Sequence, residues 1–399
     1  TRRSSDLSFS GCATVIVENG DQLNKVLSVR DQIPTLKTLI LLDEGAQKGE
    51  VPGGLDLMSY SEVCSRGDTV LESDPDLVDR SISAGERDDT ATIIFTSGTT
   101  GVPKGVVLSH DNFLHQVSCI PDRVDLTPGD IWLCVLPVWH SFERIVQYIA
   151  LGSATTLAYS KPIGKVMLED MAAIKPKWMA SVPRIWEAVR AGIYRNIKAQ
   201  GGIKLLLFSL FVKIGGVHKG LSDMLRGLVP DFQRRSRLAD KAVAILPYLL
   251  LLPLKLLGDV LVFNKIRARL GGRFVAGVSG GGALPAAVDQ FFGAAGILLL
   301  EGYGLTETAP VLAVRHQHAP VPGTVGTLLR DTECRILDEN GRELSPGEQG
   351  IIWVRGPQVM AGYYRNRDAT EAVLDRDGWL NTGDLGMLTR RGELKITGR

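Results

Sequence analysis

The 399-residue chain is poor in cysteine, and none of it is paired by spacing. Cys12, Cys64, Cys119, Cys134 and Cys334 are odd in number and scattered, with no CxxC among them. That excludes a disulfide framework and a thiolate metal site, and it favours free thiols in a reducing, cytoplasmic setting. Six histidines do not cluster with the cysteines, so no His/Cys metal spacing arises either. An excess of one charge is also missing: 45 Lys and Arg against 44 Asp and Glu leave +1, which gives no global argument for a nucleic-acid partner. The opening "TRRSSDLSFSGCATVIVENG" lacks the apolar core of a signal peptide. Internal repeats and low-complexity tracts are absent. With 44% hydrophobic and 22% charged residues the composition is that of an ordinary globular protein, and the length suits two or three packed subdomains.

What is present is strand alternating with helix. The runs 13–20, 36–45, 90–98, 129–137, 154–160, 273–282 and 294–304 are short, apolar and bounded by polar or turn residues, with helical patterns such as 22–33 between them. This predicts an α/β fold with mainly parallel sheets covered by helices, whose ligands sit at the carboxyl ends of the strands. From about Pro322 the runs are divided by Asn-Gly, Pro-Gly and Gly-Pro turns, which predicts a small β-rich subdomain over 322–399 behind an α/β part over 1–321. Both ends look cut: the first strand follows almost at once, and the chain stops at "LKITGR". A fragment is the expectation.

Residues 203–263 hold the most apolar runs, "IKLLLFSLFVKIGG" and "VAILPYLLLLPLKLLGDVLVF". Three readings stay open: buried or groove-lining helices, helices lying on a membrane surface, and a true span. The span is weakest, because Pro247, Pro253, Lys255 and Asp259 interrupt the second run and a central Asp or Lys costs ~2.5–3.5 kcal/mol on insertion.

The chemistry concentrates in "FTSGTTGVPKG" after the run 90–98. Hydroxyls, glycine amides and one lysine can wrap phosphate oxygens. The Walker pattern fails, since Pro103 stands where Gly is needed and Gly105 follows Lys104 where Ser or Thr is needed. His140 follows the run 129–137 at its carboxyl end. Glu143 and Arg144 beside it could be a local ion pair.

The stretch "FTSGTTGVPKGVVLSH" resembles the phosphate-binding loop of the AMP-forming, adenylate-forming synthetases. Further motifs follow in that family's order: "LPVWHSFER" (136–144), "VSGGGAL" (278–284), "EGYGLTET" (301–308), "GWLNTGDLG" (378–386) and "ITGR" (396–399). Five ordered motifs over nearly the whole chain are a specific signal. The resemblance implies the N-terminal domain of such a synthetase, with an apolar helical insertion at about 196–263 and the family's C-terminal domain absent after Arg399. It implies that Thr96, Ser97, Gly98, Thr99, Thr100, Gly101 and Lys104 hold the β- and γ-phosphates of ATP. Thr306 would touch the α-phosphate, and Glu307 would bind Mg²⁺ as a hard oxygen ligand. Tyr303 and Gly304 would face adenine. Gly281, Gly282 and Ala283 would give a close backbone for purine and acyl chain. Asp384 would take the ribose hydroxyls with Arg399 beside it, and His140 would sit near the carboxylate.

"WHSFER", "VPRIWEAV", "NKIRARLGGRF" and "RGPQVMAGYY" are most similar to the long-chain fatty-acid synthetases, within them to the bacterial and plastid-type acyl-CoA or acyl-carrier-protein branch. The implied reaction is ATP-dependent formation of an acyl-adenylate from a long-chain fatty acid, then transfer to CoA, with acyl carrier protein as the other thiol. This makes the chain an enzyme, a long-chain fatty acid–CoA ligase. The family's catalytic lysine lies in the C-terminal domain, so the 399-residue chain is expected to bind ATP and form little thioester. A relative activating aryl or amino acids, and a membrane-associated nucleotide- and acyl-binding module without full activity, are the competing expectations. Membrane contact would run through 203–263.

Overall fold

The computed structural model describes residues 7–43, 45, 53–97 and 103–399, with Ser97 described by its main chain alone. The expected phosphate ligands Gly98, Thr99, Thr100 and Gly101 lie outside the described residues, as does the Ser97 side chain. The described residues form two compact units: the chain up to Asp89 with Ser97 and Pro103, and Thr90–Thr96 with Lys104–Arg399.

The first unit contains β1 (Thr14–Val17), α1 (Gly20–Leu27), β2 (Thr38–Leu41), β3 (Asp56–Ser59), α2 (Tyr60–Ser73) and α3 (Leu77–Ala84). The three strands pair in parallel, Val17 opposite Leu41 and Leu41 opposite Ser59. The apolar run of β2 buries Leu39 and Leu41 against Leu23 of α1 and Ile33. The Asn19 side chain caps α1 by accepting from the Gln22 amide at 3.1 Å. A Ser59–Glu62 capping box starts α2.

The second unit opens with β4 (Thr90–Ser97) and β5 (Pro103–Ser109), apart from the Ser97 and Pro103 ends that fall in the first unit, then α4 (His110–Cys119). There follow β6 (Ile131–Cys134), α5 (Ser141–Gly152), β7 (Thr156–Tyr159), α6 (Gly164–Ile174), β8 (Trp178–Ser181) and α7 (Pro183–Gln200). Next come α8 (Gly202–Arg226), α9 (Arg237–Gly258), a π turn at Asp259–Phe263 and α10 (Asn264–Arg269). The order continues with β9 (Ala276–Ser279), α11 (Ala286–Ala294), β10 (Leu298–Gly304), β11 (Val311–Val314) and β12 (Thr327–Leu328). The remainder is β13 (Glu333–Leu337), β14 (Gly350–Arg355), β15 (Gly362–Tyr363), α12 (Arg367–Glu371), β16 (Leu380–Leu388) and β17 (Leu394–Gly398).

Seven strands form one sheet in the order β12-β11-β10-β9-β8-β6-β7. β7, β6, β8, β9 and β10 are mutually parallel, while β11 and β12 close the edge antiparallel. This is the helix-covered, mainly parallel sheet that the sequence predicts. One face buries Trp186, Phe291 and Phe292 from α7 and α11, and the other buries Phe142, Val146 and Ala150 from α5. The register sets Ser181 opposite Ser279 and Ser279 opposite Glu301, so β8 and β9 end level and β10 runs three residues further. The β-rich region after Pro322 carries the antiparallel sheet β13-β14-β16-β17.

Helices α8 and α9 test the buried reading of 203–263; by length and composition both are also long and apolar enough to cross a membrane. α8 has a buried side made of Phe208, Phe211, Gly215 and His218. α9 continues as a helix through Pro247 and Pro253 and buries only Ala244 and Gly258. Leu238 is 81% exposed and Leu250 68%. A buried role therefore fits α8 and does not fit α9.

Candidate active site

The site assembles where the parallel strands end, from residues that sequence places far apart. β10 runs out through Tyr303 and Gly304 into a short turn, Thr306–Thr308. A Cβ on Gly304 would run into the carbonyl oxygen of Pro310, so glycine is required for this close return of the chain. The turn is pinned from outside: the Gln116 amide nitrogen donates to the Thr308 carbonyl at 2.7 Å, and the Thr308 hydroxyl donates to the Pro310 carbonyl at 2.8 Å. Thr306 and Glu307 are left partly exposed at its tip.

Glu307 is held from two directions by the segment after β14. Its carbonyl accepts from the Met360 amide at 2.8 Å, and its Oε1 accepts from the Tyr363 hydroxyl at 2.8 Å. The Tyr363 ring also lies 4.8 Å from Lys104 Nζ, a cation–π approach. β15 brings Tyr363 there by pairing with β5, Tyr363 opposite Val106, and the Tyr364 amide donates to the Gly105 carbonyl at 2.7 Å. Burial and the adjacent Glu307 charge push the Tyr363 phenol above its ordinary pKa, which keeps it a donor. Lys104 and Glu307, 203 positions apart in the chain, thus meet across one tyrosine ring.

A second pair lies at the middle of β16. The Tyr303 hydroxyl donates to Asp384 Oδ2 at 2.7 Å, and the Asp384 amide donates to Thr382 Oγ1 at 3.2 Å. Asp384 Oδ1 stands 3.6 Å from Arg399 Nε, so the expected neighbour is in place. Asp384 is buried and Arg399 is exposed. Burial pushes the Tyr303 phenol up as well.

His140 is the N-cap of α5, where its Nδ1 accepts from the Phe142 amide at 3.2 Å. Loss of solvation lowers its pKa, so it is neutral at pH 7, although the residue keeps substantial exposure. The Glu143–Arg144 ion pair does not form. Glu143 is fully buried and accepts from the Gln147 side-chain amide at 3.3 Å, while Arg144 donates to the Tyr148 hydroxyl at 2.9 Å. Desolvation raises the Glu143 pKa, with the Cys134 thiol beside it.

His140 and the turn Tyr303–Thr306 share the rim of a cavity of about 200 Å³. Trp132, Phe142, Ile145, Ile149 and Val314 make its walls, and Gly281 joins the rim with a φ of +74°. Gly282 and Ala283 continue that loop as exposed residues. Sequence reasoning missed Tyr363, Gln116 and the cavity wall. The quoted "MAGYY" contains the first, but nothing local says that a tyrosine there reaches back to Glu307. Among the described residues no group of three or more His, Cys, Asp or Glu converges as a metal site. The single carboxylate Glu307 beside Thr306 and Lys104 suits Mg²⁺ held largely by substrate phosphates, the habit of that ion.

The AMP-binding enzyme family model matches residues 4–364. The chain is 35% identical over 95% of its length to the chloroplastic long-chain-fatty-acid–[acyl-carrier-protein] ligase AEE15 of Arabidopsis thaliana, covering 53% of that protein. It is 31% identical over 95% of its length to peroxisomal long chain acyl-CoA synthetase 6 of the same plant, covering 50% of it. The chain therefore spans about half the length of these curated relatives. Its fold superimposes on ATP-bound MatB from Rhodopseudomonas palustris with a TM-score of 0.65 at 21% identity, over 100% of this chain and 61% of that one. Motif order, fold and family model agree, and the chain belongs to the AMP-binding enzyme family.

Proposed function

We propose that the chain carries the nucleotide- and acid-binding part of an enzyme that activates long-chain fatty acids with ATP and passes the acyl group to a thiol. The observation that carries this reading is the apolar cavity whose rim is His140 and Tyr303–Thr306: a hydrocarbon chain inside it leaves its carboxylate at the residues assigned to the nucleotide. An amino acid would bring a charged ammonium to walls of Trp, Phe, Ile and Val, which is unfavourable.

Lys104, with Thr96, Ser97, Gly98, Thr99, Thr100 and Gly101, holds the β- and γ-phosphates. Thr306 orients the α-phosphate, Tyr303 and Gly304 face the adenine, and Gly281, Gly282 and Ala283 floor the purine and the acyl head. Asp384 accepts from the ribose hydroxyls, with Arg399 across from it. Glu307 holds Mg²⁺, which when bound would neutralise phosphate charge. A carboxylate oxygen then attacks the α-phosphorus in line, the bond to the bridging oxygen breaks, and pyrophosphate leaves with that electron pair. Positioning and charge neutralisation supply the rate. Neutral His140 lies beside the acid without adding a proton to it. A thiolate next attacks the acyl carbon and AMP leaves.

CoA is the proposed thiol. Acyl carrier protein is the second reading, favoured by the higher identity to the carrier-protein ligase. The five free cysteines fit a reducing compartment. The cytoplasmic setting is proposed on that ground, while the two relatives' names place those proteins in chloroplast and peroxisome. The exposed apolar side of α9 supports peripheral contact with a membrane.

The test is calorimetry with acyl-sulfamoyl-adenosines of increasing chain length, beside pyrophosphate release on the same acids. Tight binding of long-chain analogues is expected, and tightest binding of an aromatic or amino-acyl analogue would sink the reading. Thioester formation with CoA and carrier protein offered side by side decides the thiol.

A further inference from the structure

The helical segment that the site does not use is the most apolar part of the chain, and it is also strongly basic. Residues 202–269 contain twelve Lys and Arg against four Asp and Glu, a net of +8, whereas the whole chain carries +1. Within the segment, residues 242–254 contain no charged side chain at all. α9 rests on α8 through Ala244, Gly258 and the stacking of Tyr248 on His218 at 4.4 Å between centroids. Its other sides present Leu246, Leu249, Leu250 and Leu257 to solvent.

Next to this surface is a cleft of about 310 Å³ between α7, the start of α8 and α10. Its floor is apolar, with Ile197, Phe208 and Ile266, and its rim carries the exposed Lys204, Lys265 and Arg269. No carboxylate lines it. The Lys204 ammonium donates to the neutral Gln200 side chain at 3.1 Å. Leu261, in the turn that follows α9, lines the cleft and is 40% exposed, and Ile203 and Leu206, either side of Lys204 in the sequence, are exposed as well.

Surface charges of a soluble protein are ordinarily interspersed in sign. Three cations without a counter-ion on an apolar floor match a ligand that carries a fixed anion directly beside hydrocarbon. A second copy of this chain is the wrong occupant, because it would set one +8 segment against another. We propose that α8 and α9 dock on an anionic phospholipid bilayer, with α9 lying in the headgroup boundary and the Lys204–Lys265–Arg269 cleft taking a lipid phosphate. This deepens the membrane contact proposed above and rests on it.

Vesicle co-sedimentation tests both layers separately. The probes are phosphatidylcholine vesicles with and without phosphatidylglycerol, and the variants are K204E/K265E/R269E and L246D/L250D. All five side chains are exposed, so wild-type melting is expected of both variants. The native chain should bind the anionic vesicles more tightly by a factor on the order of a hundred, the effect of three juxtamembrane cations. The charge-reversal variant should lose that preference and keep the weak binding to neutral vesicles. The leucine variant should lose both. Equal binding of the native chain to both vesicles, or an undiminished preference in the charge-reversal variant, overturns the cleft proposal and leaves membrane contact standing. No binding to either vesicle overturns membrane contact itself. A concentration-dependent dimer that L246D/L250D disperses also overturns the proposal, since the apolar face would then be covered by a second copy.

Discussion

The hydroxyl of Tyr363 donates to Glu307 at 2.8 Å while the ring of the same tyrosine lies 4.8 Å from the Lys104 ammonium. One side chain therefore sets the two charged groups assigned to the nucleotide phosphates and their metal, and the two functions of the side chain separate by mutation. Tyr363→Phe keeps the ring and removes the donor. The magnesium concentration for half-maximal pyrophosphate release should rise roughly tenfold, the worth of a hydrogen bond to a charged group, with ATP affinity little changed. Tyr363→Leu should weaken ATP binding in addition, by about threefold or more as the cation–π contact goes. An unaltered magnesium titration in Tyr363→Phe would show that Glu307 is not positioned this way.

Asp384 is buried with Tyr303 on one oxygen and Arg399 near the other. If its carboxylate receives the ribose hydroxyls, native protein should prefer ATP to 2′,3′-dideoxy-ATP, and Asp384→Ala should bind the two alike. The loss for ATP is expected at about ten- to a hundredfold, from charge-assisted hydrogen bonds. Competition binding with a fluorescent nucleotide reads it. A preference that survives in the variant places the ribose elsewhere.

Ile149 lies on the wall of the 200 Å³ cavity, one helical turn beyond Ile145. Ile149→Trp fills apolar space, and overpacking of this kind ordinarily costs ~1–3 kcal/mol. The kcat/KM for the longest acids should fall most, moving the optimum toward shorter chains. A uniform fall across all lengths would mean that the acyl chain does not reach Ile149.

Glu143 gives a pH-dependent prediction. Its folded pKa is raised by desolvation, so the folded state holds the proton more tightly than the unfolded chain. Its contribution to stability is fully present below about pH 4.5 and is lost as pH rises from there through the folded pKa. Glu143→Gln removes that titration. Thermal melts at pH 4.5 and pH 8 should show the native protein losing ground to the variant at the higher pH, and a difference constant with pH would contradict a raised Glu143 pKa.

The parallel sheet was legible because its strands lie in apolar runs that end at Gly, Ser or Pro, as Ile131–Cys134 does in the run to Pro137 and as Leu298–Gly304 does itself. Trp178–Ser181 was not recognised. Its four residues are all buried, so it shows no alternation, and it runs directly into the helix begun at Pro183. The site was legible as a set of motifs and not as a geometry. Nothing local to "MAGYY" reveals a partner 56 residues upstream, and the Glu143–Arg144 neighbours point apart because they lie on different faces of α5, one buried and one half-buried. α9 could be recognised as apolar from its composition. That it lies outside the core depends on tertiary packing, which periodicity in a uniformly apolar run cannot report.

The main-chain bonds from Met360 to Glu307 and from Tyr364 to Gly105 set a schedule for synthesis. Chains emerge from the ribosome amino end first, and most of the parallel sheet is complete by Val314, well before residue 364 is made. Lys104 and Glu307 have both been synthesised before the strand that aligns them exists. A nascent or prematurely ended chain thus holds Lys104 and Glu307 without the alignment between them, and that alignment arrives late, when Gly362 and Tyr363 pair with β5.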